Sequence, residues 1–455
     1  MKIPLLLLML AVTAAESFAG NWYVAKGATG SNNGTSWTNA WNEMNQINFS
    51  TVACGDTVWI AGGTYTSTLS VNKTCTSGTQ LYIKKVLVSD PVCTSPCDAT
   101  YDTQIILNNV GINAGGGAYW TVDGRVGTPT ANNFGISARF TGTNYGIEFG
   151  SGVSSNHLTF SHIEVYGPAC VTAQTCNGDT HAFDIRWSAG TNDSITVDHC
   201  WLHRESEIIW IGPSTPNLTF QHTQIDTSAT TASEHADLVY GSAVTITNLT
   251  FRYNRIFASD NDGMLFESGG TINGFYFYGN LFYHSMGQII VFKTGMNVSN
   301  VYMYNNVFEW DPTAIFPSGN QWQSFIRFDS TPTSGAFENN VLEDLTAGGW
   351  GGMAADYNAY SSDIGKQDSG THSFTYTKGT QFVNEPNGSN PSAADFHLTS
   401  AGMTSFGAKG INLSAPYNTD MDGNSCSASC SVGAYYATSS ATAPAAPSRL
   451  AASVQ

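Results

Sequence analysis

Three groups of residues have types and spacings suited to chemistry. The first is Glu267, Lys293 and Asp329, each of which follows a phenylalanine (Phe266, Phe292, Phe328) in a short segment of alternating apolar and polar residues. If the phenylalanines point inward, period-two alternation turns the three charges outward on adjacent strands, ~4.8 Å apart per step. Arg327 shares that outer face two residues before Asp329, and Tyr240 extends the column backwards. With only 17 lysines and arginines in the chain, Lys293 and Arg327 on neighbouring strands form a small basic island; the same residues also read as a solvated ladder of alternating sign. The second group is His203-Arg204-Glu205-Ser206-Glu207 with Glu234-His235-Ala236-Asp237. Carboxylates held on neighbouring strands can divide acid and base roles between them, and His235 and Asp237 serve equally as cross-strand hydrogen-bonding partners. The third group is aromatic: Trp210, Tyr240, Tyr276, Tyr278, Tyr302 and Tyr304 read as exposed rings on adjacent strands. Such a platform offers stacking to flat apolar faces such as those of sugars, or the rings simply pack together.

The elements that must hold these residues are repeats. Leu158-Thr159-Phe160-Ser161-His162 recurs in altered form at Ile195, Leu218, Leu249, Phe275 and Val301, with steps of 37, 23, 31, 26 and 26 residues. A second strand set lies between them, and Gly, Asn, Ser and Thr separate the two. Loosely periodic strand pairs of this kind are the signature of a solenoid, here a right-handed parallel β-helix in an all-β chain. Asn254, Asn280, Asn306 and Asn340 follow successive strands and are expected at one corner, where each amide satisfies turn backbone groups and stacks on its neighbour. Leu158, Val197, Phe220, Phe251, Phe277 and Met303 are expected inside. Trp37, Trp41, Met44 and Ile47 have helical spacing, which predicts a short N-terminal capping helix within 35–48.

The chain opens with Lys2, a Leu-rich run from Ile3 to Val12 and Ser17-Phe18-Ala19, the pattern of an export signal cut after Ala19. This gives a signal peptide at 1–19, a β-helix domain at 20–440 and a flexible Ala/Pro/Ser tail at 441–455, with no membrane span. A formal charge of −17 argues against nucleic acid or an anionic membrane as partner. Nine cysteines in an exported chain suggest disulfides, with local staples at Cys93/Cys97, Cys170/Cys176 and Cys426/Cys430, a longer one at Cys54/Cys75, and Cys200 left as a buried thiol. Asp420-Met421-Asp422-Gly423-Asn424 is acid-rich but lacks the spacing of an EF-hand loop.

Tyr23-Val24-Ala25 with Gly30–Trp37, the stretch Gly55-Asp56-Thr57-Val58-Trp59-Ile60-Ala61-Gly62-Gly63-Thr64-Tyr65, and the closing Ala394-Asp395-Phe396-His397-Leu398 with Val432-Gly433-Ala434-Tyr435-Tyr436 resemble bacterial exported β-helix proteins of the pectate-lyase-like superfamily. The resemblance spans nearly the whole mature chain. It implies an extracellular or cell-surface protein whose partner is a polysaccharide or surface glycan. In the polysaccharide lyases of this superfamily a basic side chain takes the proton beside a uronate carboxylate, and arginine and Ca2+ neutralise that carboxylate. Carried onto this chain, Lys293 is the base, Arg327 the neutralising group, and Asp260, Asp262 or Glu267 the Ca2+ ligands. A glycoside hydrolase using Glu205, Glu207, His235 or Asp237 is the alternative chemistry, although the Asn-x-Asp, Asp-Asp and Gly-His-Gly set of polygalacturonases is missing. A non-catalytic surface or matrix protein is the alternative from another class.

Overall fold

The computed structural model describes residues 19–436 except 129–132, 143–144, 168–179, 186–189, 213, 230–235, 286, 311–324, 386–390 and 427–429. Residues 1–18, the tail from 437 onward, Glu234, His235 and the Cys170/Cys176 pair lie outside that set. The chain winds as a parallel β-helix with three lanes of strands per coil. The first lane is a 12-stranded sheet that begins at Gly63–Tyr65 and includes Trp201–Glu205, Gln224–Ser228, Arg255–Ser259 and Leu281–Ser285. The second and third lanes together form a 20-stranded sheet. They merge where Val239–Arg252 and Met264–Tyr278 run through both as long bent strands. Pairing between coils is parallel throughout, whereas Phe382–Asn384 and Asp395–Leu398 form an antiparallel pair in the closing segment.

Side chains stack in columns because parallel coils repeat in register. In the third lane Val197, Phe220, Phe251, Phe277 and Met303 pair in sequence. In the second lane Phe266, Phe292 and Phe328 do the same, with ring centroids 5.6 and 5.4 Å apart. Leu158 pairs with Ile195, one column earlier, and all six expected core residues are fully buried. Each such side chain contributes ~2 kcal/mol by leaving water.

The corner from the third lane back to the first is turned by a residue with positive φ: His162, His199, His222, Tyr253, Gly279, Asn305, Asn339 and Tyr357 in successive coils. The residue after it points inward, and the asparagines among these form a ladder. Asn280 Nδ2 donates to Phe251 O (2.9 Å) and to Asn306 Oδ1 (3.1 Å), and its main-chain N–H donates to the same oxygen (2.9 Å). Asn254, Asn306 and Asn340 repeat the arrangement, and Asn358 ends it against Asp368 and Ser373. Thr223 and Cys200 occupy the same column in earlier coils.

The N-terminal cap differs from expectation. Trp37, Trp41, Met44 and Ile47 are buried, but 35–48 holds turns and a single 3-10 turn at Met44–Gln46. Trp41 forms a parallel bridge to Val24, and Asn32, Asn33 and Asn39 accept bonds from nearby groups, most of them backbone N–H. Asparagines competing for backbone donors favour turns over helix, whatever the apolar spacing. The α-helix among the described residues is Ser400–Phe406, near the other end. Disulfides join Cys54–Cys75, Cys93–Cys97 and Cys426–Cys430, and Cys200 is a buried free thiol. After the helix the chain straps back along the coils: Ile411 bonds Asn339, Tyr417 bonds Asn305 and packs on Tyr278 and Tyr304, Pro416 accepts from Tyr253, and Gly433 returns to Asn339. No helix of the described residues is long and apolar enough to cross a membrane.

Candidate functional site

The second lane and the corner that leads into it gather most of the residues singled out above. Register through Phe183, Ile209, Val239, Met264 and Ile290 puts His181, Glu207, Asp237, Asp262 and Gln288 in one column on five consecutive coils. A neighbouring column holds Glu205, Ser228, Ser259 and Ser285, all fully buried. Asp184, Glu205, Glu207, Asp237, Asp260 and Asp262 are each at most 7% exposed.

The hydrogen bonds tie this column together across coils. His181 faces Asp184 through Nδ1 (2.9 Å) and Glu207 through Nε2 (3.1 Å). Asp237 Oδ1 accepts from the main-chain N–H of Asp262 (3.2 Å) and from Asn261 Nδ2 (3.3 Å), while Asp262 Oδ1 accepts from the N–H of Gln288 (2.9 Å). Burial, reinforced by the charges of Asp262 and Glu207, pushes the Asp237 carboxyl well above the usual carboxylate range. Burial likewise pushes Glu205 up to about 8. Burial and like charge thus raise the proton affinity of carboxyls packed at this corner, an environment shared by reacting centres and by structural networks.

Beside the corner, the outward side of the second lane carries Trp210, Tyr240, Leu265, Val291 and Arg327 in one column, in which Leu265 and Val291 are buried while Trp210 and Tyr240 are half-buried and Arg327 is exposed. Trp210 sits edge-on to both His181 (5.0 Å) and Tyr240 (4.6 Å), and Tyr240 donates its hydroxyl to Glu267 (2.8 Å). Glu267, Lys293 and Asp329 follow the three stacked phenylalanines, so they line the far edge of the same lane, and Arg327 bonds Asp329. Five residues of strand separate this charged edge from the acidic column, or ~16 Å at the rise of an extended chain.

Other expected residues are placed differently. Tyr276 and Tyr302 stack at 5.5 Å, but on the third lane. Tyr278 and Tyr304, read as exposed, are buried, because Tyr417 of the closing strap covers both. The sugar platform therefore reduces to Trp210 with Tyr240 on one lane and Tyr276 with Tyr302 on another. Asp260 and Asp262 belong to the acidic corner, not to the edge that bears Lys293. Among the described residues, Asp198, His199 and His222 are the group that brings three His, Cys, Asp or Glu donor atoms within 4.8 Å of one another.

His181 and Asp184 were not foreseen. The signal for them is positional: counting back from Phe183, the partner of Ile209, places His181 beside Glu207.

No family model matches the chain, and no curated protein matches it in sequence. Among solved structures it is similar to the pectate lyase Pel9A, with 14% identity over 93% of this chain and 97% of that one and a TM-score of 0.56. It is also similar to a rhamnogalacturonan lyase, with 12% identity over 85% and 98% and a TM-score of 0.50. At such identities the likeness is one of fold.

Proposed function

We propose that this pectate-lyase-like parallel β-helix is an exported enzyme that cleaves a polysaccharide held at the Trp210–Tyr240 end of its second lane, with the acidic corner as reacting centre. The observation that carries this reading is the column in which Asp237 stands between Glu207 and Asp262, its carboxyl pushed well above the usual carboxylate range by burial and by their charges, beside the Trp210–Tyr240 pair. Burial and like charge are the means by which a carboxylic acid keeps its proton at neutral pH. Asp237 and Glu207 are buried in the free protein, so hydrolysis here requires the substrate to displace their cover. Asp237 then gives its proton to the glycosidic oxygen as the bond to the anomeric carbon breaks, and Glu207 takes a proton from the attacking water, whose oxygen bonds to the same carbon. Trp210 and Tyr240 offer ring faces to the sugars on either side. Disulfides and the signal-like N-terminus support export.

A second reading, β-elimination, is favoured by Lys293, which makes no ion pair among the described residues and lies one coil from Arg327. The names of the two structural neighbours also support it. There Lys293 removes the proton beside a uronate carboxylate neutralised by Arg327, and the departing oxygen leaves a carbon–carbon double bond. The ~16 Å between the two centres lets mutants separate them. On a polysaccharide panel, Asp237→Asn abolishing reducing-end release with no unsaturated product supports hydrolysis. Ultraviolet-absorbing product that disappears in Lys293→Ala supports elimination. Binding without either product refutes both.

A further inference from the structure

At the other end of the first-lane strands from the acidic column, three outward-turned imidazoles stack, buried at His162 and exposed at His222. His162, His199 and His222 turn successive coils, with ring centroids 5.0 and 4.6 Å apart and planes within 4° and 21° of parallel. Each stands at a positive φ of 53°, 49° or 48°, where later coils use Tyr253, which continues the stack on His222 at 5.3 Å, then Gly279, Asn305, Asn339 and Tyr357. Glycine and asparagine enter that conformation at least cost, and ring stacking accounts for an aromatic residue there; what sets His199 and His222 apart from Tyr253 is the carboxylate their nitrogens share. The main chain beneath them is rigid: the N–H groups of His162, His199 and His222 donate to Asp198, Gln221 and Arg252 carbonyls at 3.1–3.2 Å.

Two of the rings aim the same atom at one carboxylate. His199 Nδ1 lies 2.8 Å and His222 Nδ1 3.2 Å from Asp198 Oδ1. The three donors lie within 4.8 Å of one another, and the His222 side chain is 37% exposed. An imidazole lone pair facing a carboxylate oxygen is repelled unless a cation or proton lies between them. Ligands of a tetrahedral Zn2+ at ~2.0–2.1 Å from the metal stand ~3.3 Å apart, close to the spacings found here.

We propose that Asp198, His199 and His222 form a binding site for one divalent transition-metal ion of the Zn2+ type, which clamps two adjacent coils at this corner. Two nitrogens and one oxygen suit Zn2+, Ni2+ or Cu2+ and are too few and too soft for Ca2+. The fourth position faces solvent and takes water. His162, one coil below, stacks on His199 with its own Nδ1 bonded to Ser161 Oγ (2.7 Å) and is not a ligand. The site is independent of the glycan chemistry above.

Metal-free full-length protein is titrated with Zn2+ by calorimetry, and with Co2+ by visible absorption. One Zn2+ per chain is expected, with the absorption of a Co2+ ion bound by few ligands, and Ca2+ is not expected to compete. His222→Ala, at an exposed position, should weaken Zn2+ binding by more than the roughly 100-fold that loss of an outer-shell partner costs. Asp198→Asn should weaken it as well, while His162→Ala should leave affinity within about threefold if only ligand residues control it. Thermal unfolding of each metal-free variant reports whether it folds, and Zn2+ should raise the melting temperature of the unmutated protein but not of His222→Ala. Absence of stoichiometric Zn2+ binding, or equal binding by folded His222→Ala, overturns the proposal.

Discussion

Replacing Glu205 by glutamine tests the acidic corner without touching its shape. Glu205 is fully buried, and Gly167 leaves room for it: a Cβ on Gly167 would stand 2.4 Å from the Glu205 carboxyl carbon. Burial moves this carboxyl from an ordinary 4.5 to about 8, although Thr180 and His181 oppose the move. Because the folded state holds the proton more tightly, stability is unaffected below pH 4.5 and falls as the unfolded chain ionises between 4.5 and about 8. Above that it is constant. At ~1.4 kcal/mol per pH unit the whole effect is about 5 kcal/mol. Glutamine does not titrate, so Glu205→Gln should match the parent protein near pH 4.5. It should then gain relative stability steadily, reaching several kcal/mol by pH 9. Urea unfolding of both proteins at pH 4.5, 6, 7.5 and 9 measures the difference, in which titrations common to both cancel. A difference that stays constant with pH, or a variant that is less stable at pH 9, would refute the assignment of Glu205 as a carboxyl protonated by burial.

Two further outcomes follow from other corners. Asn306→Ala should cost ~2–5 kcal/mol in urea unfolding, since it strands the buried Phe277 carbonyl and the Asn280 N–H, whereas the exposed Asn297→Ala should stay within ~0.5 kcal/mol; equal effects would mean that the ladder is not structural. His397 packs in the closing segment and bonds Asp395 and Asp422; against burial, these carboxylates raise it from 6.5 to about 9. Its contribution is complete below pH 6.5 and lost as pH rises through about 9, so hydrogen exchange around 395–422 should quicken there in the parent protein and show no such step in His397→Gln.

The sequence carried the coil architecture well where strands are buried on one side and bounded by turn residues. The Phe266, Phe292 and Phe328 column and the asparagine corner depend only on local alternation and on the residue after each strand. What alternation cannot carry is coil length, because the stretches of chain from Tyr166 to His181, from Ser228 to Val239 and from Glu309 to Phe325 differ in length. His181 therefore meets Glu207 across 26 residues with no local mark of the partnership. Tyr278 and Tyr304 were misplaced for a related reason: their cover, Tyr417, lies more than a hundred residues away in sequence. In the N-terminal cap, side-chain competition for backbone groups outweighed a helical spacing of large apolar residues.

The closing strap bears on how such a rod can change its length. A stack of equivalent coils would tolerate one turn more or fewer, since each coil recognises only its neighbours. Here Ile411, Pro416, Tyr417 and Gly433 touch the coils of Tyr253, Tyr278, Asn305 and Asn339 at fixed points. Duplicating a coil among them would displace the later anchors by ~4.8 Å, more than a hydrogen bond can stretch. The strap thus acts as a ruler for this stretch, so added or lost coils will be tolerated only outside it, towards the N-terminal end.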